Sequence, residues 1–331
     1  MGKAKKTESF EKMNLPIFKD VEAAAKRIKG VTIRTPLLRS VELDRATGGK
    51  IYVKPECLQL TGAFKLRGAF NRLSALAQEE RKRGVVAFSS GNHGQAVAYA
   101  ADVLGVTATI VMPETAPAIK INKTRSHGAK IVLYDPEGED REILARAIAD
   151  KTGETVVPSY DDPYIIAGQG TSALEVIEDG PKLDAYLVPA GGGGLLAGSV
   201  LAFEELSFET KLYSAEPESY NDHQQSFAAG ERVRLENPKP TICDALLPLT
   251  PGEMTFTINN RHVAGGVAVS DGEVKAAMRF AFENLKIVAE PGGCVALAAV
   301  LSGKMETKGK NIGLIVTGGN VEAAFFAKIL K

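Results

Sequence analysis

The sequence has little of what marks several protein classes. Three cysteines, Cys57, Cys243 and Cys294, are spread over 331 residues. They are too few and too scattered for a disulfide framework or a zinc site, and small buried apolar side chains are their expected role. Neither sign of charge predominates, with 40 Lys+Arg against 40 Asp+Glu. That excludes nucleic acid or an anionic membrane as the main partner, since both call for a basic surface. Residues 1–12 are polar, with four lysines and no apolar core, so neither a secretory signal nor an anchor is expected there. One uncharged stretch stands out, Ala185 to Phe203, but it carries Pro189 and four consecutive glycines. It reads as a buried strand, a glycine turn and a buried helix, not a membrane span. No internal repeat or low-complexity tract is visible, and a cytoplasmic location is expected.

What is present is ordinary for a folded globular chain: 44% apolar and 24% charged residues. The length suits two domains or one large α/β domain. From about residue 50, short β-rich runs alternate with amphipathic helical runs. Strands are expected at 51–54, 85–88, 107–111, 130–134, 155–157, 186–188, 211–215 and 312–316. Helices are expected at 64–83, 94–104, 118–126, 141–151, 171–177, 195–205, from the Ser270/Glu273 capping box to 285, from Pro291, and at 321–330. The region between about 220 and 269 lacks clear periodicity and holds several prolines, so loops and short strands are expected there. Repeated strand–helix units with Gly-marked joins imply parallel sheets covered by helices on both faces. In such sheets ligands bind at the carboxyl ends of the strands.

Four motifs fall at strand-to-helix joins or at helix starts. In Thr61-Gly62-Ala63-Phe64-Lys65-Leu66-Arg67-Gly68, Lys65 lies in the opening turn of a helix, where the positive end of the macrodipole disfavours its charge. Taken alone, such a lysine is more often a solvated surface group. Ser89-Ser90-Gly91-Asn92-His93-Gly94 presents several outward backbone N–H groups, either a carboxylate pocket or an ordinary capped helix start. Gly191-Gly192-Gly193-Gly194 puts unobstructed N–H groups around a helix N-terminus, a natural phosphate cup. Gly192, Gly194 and Ala197, with Glu216 ending the next strand, also satisfy a dinucleotide-binding pattern. Thr317-Gly318-Gly319-Asn320 offers a hydroxyl that is either an N-cap or a partner for a ring nitrogen.

In this order, over nearly the whole chain, the motifs resemble the fold-type II pyridoxal-phosphate enzymes, specifically the family of threonine/serine dehydratases, serine racemases and 3-hydroxyaspartate dehydratases. The resemblance runs from about Phe18 to the C-terminus and leaves the dinucleotide reading with Lys65 and Thr317 unexplained. It implies a two-lobed α/β fold of three-layer α/β/α domains, like the tryptophan synthase β-subunit. Residues 84–158 would form a small mobile domain set within a large cofactor domain made of 1–83 and 159–331. The chain ends about where the catalytic core of that family ends, so no C-terminal regulatory domain is expected.

The resemblance assigns roles residue by residue. Lys65 would carry the cofactor covalently, with Phe64 against the ring; Asn92 would bond the ring hydroxyl, Gly191–Gly194 the phosphate and Thr317 the pyridine nitrogen. Ser89, Ser90, Gly91 and His93 would bind the substrate carboxylate. The implied reaction is α,β-elimination from L-threonine, L-serine or a related 3-hydroxy amino acid, giving a 2-oxo acid and ammonia. Ser90 also matches the racemase position facing the α-carbon from the side opposite the lysine, which leaves serine racemisation open. Glu216, Asp222 and the carbonyl of Tyr220 resemble the family's divalent-cation site, with magnesium, calcium or manganese as the ion; solvated loop acids are the alternative. Gly62-Ala63 before Phe64 resembles the racemase and hydroxyaspartate dehydratase members. In those members Arg141 matches a substrate-facing position able to pair with a second carboxylate, against the alternative of a surface helix arginine. A homodimer acting on a small amino acid is the family's usual form.

Overall fold

The computed structural model describes residues 14–331 apart from residue 117; the N-terminal lysine-rich stretch lies outside the described residues. Nine strands occur among them: β1 (Lys50–Pro55), β2 (Val85–Phe88), β3 (Ala108–Pro113), β4 (Lys130–Tyr134), β5 (Thr155–Val156), β6 (Ala185–Pro189), β7 (Lys211–Pro217), β8 (Val263–Val269) and β9 (Asn311–Val316). They form two wholly parallel sheets, one of five strands in the order β1-β9-β6-β7-β8 and one of four in the order β4-β3-β2-β5. β1, near one end of the chain, pairs with β9, near the other, from Lys50 opposite Asn311 to Pro55 opposite Val316. The smaller sheet is built from the chain between them.

Helices cover both faces of each sheet because the strands are apolar on both sides. On one face of the five-stranded sheet, Leu187, Leu314 and Val316 pack with Val274, Met278 and Leu297 of the helices Asp271–Phe280 and Val295–Leu301. On the other, Tyr186, Val188 and Ile315 pack with Leu196, Val200 and Ile166. The smaller sheet buries Ala87 and Ile110 against Leu66, Phe70 and Val97, and Val86 and Val111 against Ala145. The fold class expected from the alternating pattern is the one observed.

Three helices stack unusually closely, and glycines permit it. A Cβ on Gly168 would sit 2.6 Å from Gly68 Cα, and one on Gly170 would sit 2.6 Å from the Gly198 carbonyl oxygen. The helices Lys65–Ser74, Pro163–Asp179 and Gly194–Leu206 are thereby locked together. Two of them begin at the lysine motif and at the glycine loop, so this stack sets the distance between those groups. It also explains a difference from expectation. The Pro163–Asp179 helix begins two turns before Thr171, and Gly168 and Gly170 lie in that early part as contact points.

Other boundaries differ for local reasons. The run 64–83 is two helices, Lys65–Ser74 and Gln78–Arg83, separated at Ala77, whose extended backbone donates its N–H to the Glu80 carboxylate at 2.8 Å. The helix opened by Ser270 is α-helical to Phe280 and finishes as a π turn, Ala281–Leu285. The aperiodic region holds the helices Asp222–Ala229 and Glu253–Asn259 and the edge strand β8.

Arg67 lies in the core with no solvent exposure. Its guanidinium donates to both oxygens of Glu56 at 2.8 Å and to Glu175 at 2.7 and 2.8 Å. Lys54 Nζ joins them, donating to Glu175 at 2.6 Å and to the Thr35 carbonyl at 2.7 Å. Burial works against the charge on Glu56, but Arg67 beside it wins and holds the carboxyl below its ordinary range. Two cations and two anions neutralise one another and tie β1, the turn after it and the stacked helices into one unit.

Candidate active site

The carboxyl ends of both sheets open into a shared cleft of about 330 Å³. From the smaller sheet, the loop after β2 brings Ser89, Ser90, Gly91 and Asn92 to its wall; from the larger one come Lys65, the glycine loop after β6 and Thr317 after β9. Among the expected residues, Phe64, His93 and Arg141 also line this cleft, whereas Glu216, Tyr220 and Asp222 do not.

Lys65 is the first residue of its helix, with Phe64 as N-cap. The loop that carries it is stitched to the Thr317 loop: Phe64 N–H donates to the Thr317 carbonyl at 3.0 Å, and Gly319 N–H donates to the Gly62 carbonyl at 2.9 Å. Gly62 has φ +73°, and a Cβ there would meet Asn320 Oδ1 at 2.7 Å. The Lys65 amine lies 5.2 Å from the Phe64 ring centroid and donates to the Ser159 carbonyl at 2.7 Å. Burial pulls its ammonium down to about 8. The cause is desolvation, so the depressed basicity expected from the helix dipole has a different main origin.

The loop after β6 is an anion cup. None of the N–H groups of Gly191, Gly192 and Gly193 donates to a protein acceptor among the described residues. Gly193 adopts φ +90°, a left-handed conformation that suits glycine, and the helix Gly194–Leu206 starts directly after it. Tyr160 closes the cup from one side; a Cβ on Gly192 would strike its ring at 2.2 Å.

Asn92 opens the helix Asn92–Leu104 and is clamped at both ends of its carboxamide. Its Nδ2 donates to Glu290 Oε1 at 2.6 Å, and its Oδ1 accepts from Asn320 Nδ2 at 2.7 Å. Burial pushes the Glu290 carboxyl up to about 8, so it keeps its proton at neutral pH. Thr317 is nearly buried, and its hydroxyl has no protein partner among the described residues. An aldehyde-reactive amine, a cup of free amides and a free hydroxyl donor in one cleft fit the groups of pyridoxal phosphate.

The remaining expected residues divide. Ser90 lines the cleft half-buried, and Ser89 Oγ accepts from Gly91 N–H at 3.2 Å. The His93 ring is a strut: Nε2 bonds the Val157 carbonyl at 2.9 Å, and burial beside charged Lys65 drives the imidazole down to about 3. Its ring therefore has no donor left for a carboxylate, whereas its main-chain amide lies in the first turn of the helix. Arg141 begins the helix Arg141–Thr152 behind the Asp140 cap, with its guanidinium 6.0 Å from the Phe88 ring centroid. It forms no ion pair among the described residues.

Away from the cleft, Glu216, the penultimate residue of β7, accepts from His223 N–H at 2.8 Å and Gln224 N–H at 2.9 Å. Asp222 is buried, and its Oδ2 has no partner among the described residues. Desolvation raises both carboxyls, Glu216 strongly and Asp222 to about 7. No group of three or more His, Cys, Asp or Glu side chains suited to a metal ion occurs among the described residues. Sequence reasoning singled out neither Glu290 nor Tyr160 and gave Asn320 no role.

Residues 28–318 match the model of a family described as pyridoxal-phosphate dependent enzymes. The chain is 47% identical over 319 residues to an L-threo-3-hydroxyaspartate ammonia-lyase of a Pseudomonas species, covering 96% of this chain and 100% of the relative. It is 42% identical over 317 residues to a serine racemase of Schizosaccharomyces pombe, covering 96% and 98%. The structure of maize serine racemase superposes with a TM-score of 0.90 at 36% identity, covering 95% of this chain and 96% of that one.

Proposed function

Because the chain belongs to the pyridoxal-phosphate dependent enzyme family, we propose that it is an ammonia-lyase for a 3-hydroxy amino acid carrying a second carboxylate, of the 3-hydroxyaspartate type. The observation that carries the substrate class is Arg141, a cation without an ion-pair partner among the described residues, on the wall of the cleft that holds Lys65 and the Ser89–Asn92 loop. A guanidinium is the natural partner of a side-chain carboxylate. The relative named for L-threo-3-hydroxyaspartate supports the same choice.

In this reading Gly191–Gly194 hold the cofactor phosphate, Asn92 its ring hydroxyl and Thr317 its ring nitrogen. The bound cofactor supplies an electron sink for the α-carbon. The amides of the Ser89–His93 loop orient the substrate carboxylate, and Arg141 orients the side-chain carboxylate. Lys65, desolvated enough to be substantially neutral near pH 8, takes the α-proton as general base and hands it to the β-hydroxyl, which leaves as water. The neutral partner Thr317 places no negative charge at the ring nitrogen, which favours elimination over transamination. The smaller sheet, 84–158, acts as the mobile domain whose approach excludes water.

A serine racemase side reaction is the second reading. It rests on Ser90, whose hydroxyl lines the cleft without a protein partner among the described residues. Glu216, Asp222 and the Tyr220 carbonyl are read as a divalent-cation site, which the Oδ2 of Asp222, without a partner among the described residues, and the push of the Asp222 charge on the buried Glu216 carboxyl favour. The homodimer and the cytoplasmic setting belong to the same proposal.

One panel tests the reading: L-serine, D-serine, L-threonine and the 3-hydroxyaspartate isomers, with magnesium and with chelator. Wild type is expected to prefer a 3-hydroxyaspartate isomer, and Arg141→Leu to lower kcat/KM for it about 100-fold, with less than about threefold change for serine. Equal losses on both substrates would remove the carboxylate role. Chelator is expected to lower activity or melting temperature, and indifference to it rejects the cation site.

A further inference from the structure

The glycine loop is held from behind. His223 Nε2 bonds the Gly191 carbonyl at 2.8 Å, and Thr255 Oγ1 donates to the Gly192 carbonyl at 2.7 Å. The Gly192 carbonyl also accepts Gly252 N–H at 3.2 Å, and Asn259 Nδ2 reaches the Gly193 carbonyl at 3.4 Å. All three side chains are fully buried, and none lines the cleft. Facing a carbonyl oxygen, Nε2 of the His223 ring carries the hydrogen and donates it. The braces pack tightly: a Cβ on Gly193 would lie 2.6 Å from His223 Cε1 and 3.0 Å from Thr255 Oγ1.

A trans peptide is planar, and its C=O and N–H point in opposite directions. Drawing the carbonyls of Gly191, Gly192 and Gly193 backward therefore aims the N–H groups of the following residues, Gly192, Gly193 and Gly194, toward the cleft. Glycines alone supply freedom, and freedom carries an ordering cost when an anion binds. The brace removes that cost in advance. Asp161 in turn fixes the helix Glu253–Asn259, accepting from Glu253 N–H and Thr255 N–H, each at 3.0 Å.

We propose that His223 and Thr255 are positioning residues that set the phosphate affinity of this loop without touching the phosphate. The inference rests on the cofactor reading above and deepens it. The full chain, freed of cofactor, is titrated with pyridoxal phosphate and with pyridoxal, which lacks the phosphate. Thr255→Val and His223→Leu are each expected to raise the Kd for pyridoxal phosphate about tenfold, the effect of one well-made hydrogen bond. The Kd for pyridoxal should move less than about twofold, and Thr255→Ser, which keeps the hydroxyl, should match wild type for both. Parallel weakening of both ligands, or no change in either, overturns the proposal. The Thr255 pair decides the matter even if His223→Leu does not fold. A wild type that binds both compounds equally instead overturns the phosphate assignment of the loop itself.

Discussion

Lys65→Ala is expected to lower elimination turnover by at least about 10⁴-fold, because it removes both the covalent anchor and the general base. The cofactor-derived visible absorption band should disappear from the variant while the fold persists, since the Lys65 amine makes one hydrogen bond, to the Ser159 carbonyl. The pH dependence has a definite sign. An amine at about 8 instead of its ordinary 10.5 has about 300-fold more free base at neutral pH. The rate at which the cofactor-free chain condenses with pyridoxal phosphate should therefore rise with pH up to about 8 and then level. A rate still climbing tenfold per pH unit at 9.5 would contradict the desolvated amine.

Arg67→Leu carries the largest expected cost in stability. It leaves Glu56 and Glu175 with only Lys54 as a buried counter-charge. Breaking a buried pair in this way costs about 3–5 kcal/mol, a large share of the stability of an ordinary domain. Urea denaturation of the full chain measures it. A loss under about 1 kcal/mol would mean that the network relaxes or takes in water. Arg67→Lys keeps the charge but not the two-pronged geometry and should fall between. Because the network anchors the helix that starts at Lys65, activity should fall along with stability.

Local signals made much of the fold legible. The Ser270/Glu273 box is formed as the pattern suggested, with Ser270 N–H donating to Glu273 Oε2 at 2.6 Å. The strand Lys130–Tyr134 falls on the expected residues, and the helix that follows Asp140 matches its expected range to within one residue. Contacts far apart in sequence were not legible. The Arg67 network joins residues 11 and 108 positions apart, and Glu290 reaches Asn92 across 198. No periodicity reports such partners. The early start of the Pro163–Asp179 helix did have a signal: Asp162 as cap followed by proline at the first position, with Asp162 Oδ1 accepting from Tyr164 and Ile165 N–H at 2.9 Å. Gly168 and Gly170 fall inside that early stretch, and a glycine needed for close helix contact lowers the local helix propensity. In the candidate site, the motif residues were visible as motifs. The side chains that orient them, Glu290 and Tyr160, sit in stretches without a pattern of their own.

The central claim is that one buried amine in this cleft bonds the aldehyde of pyridoxal phosphate. Borohydride reduction of the holoenzyme followed by peptide mass spectrometry reads it directly. A single phosphopyridoxyl group is expected, on the peptide containing Lys65; modification of another lysine, or of none, refutes this bond.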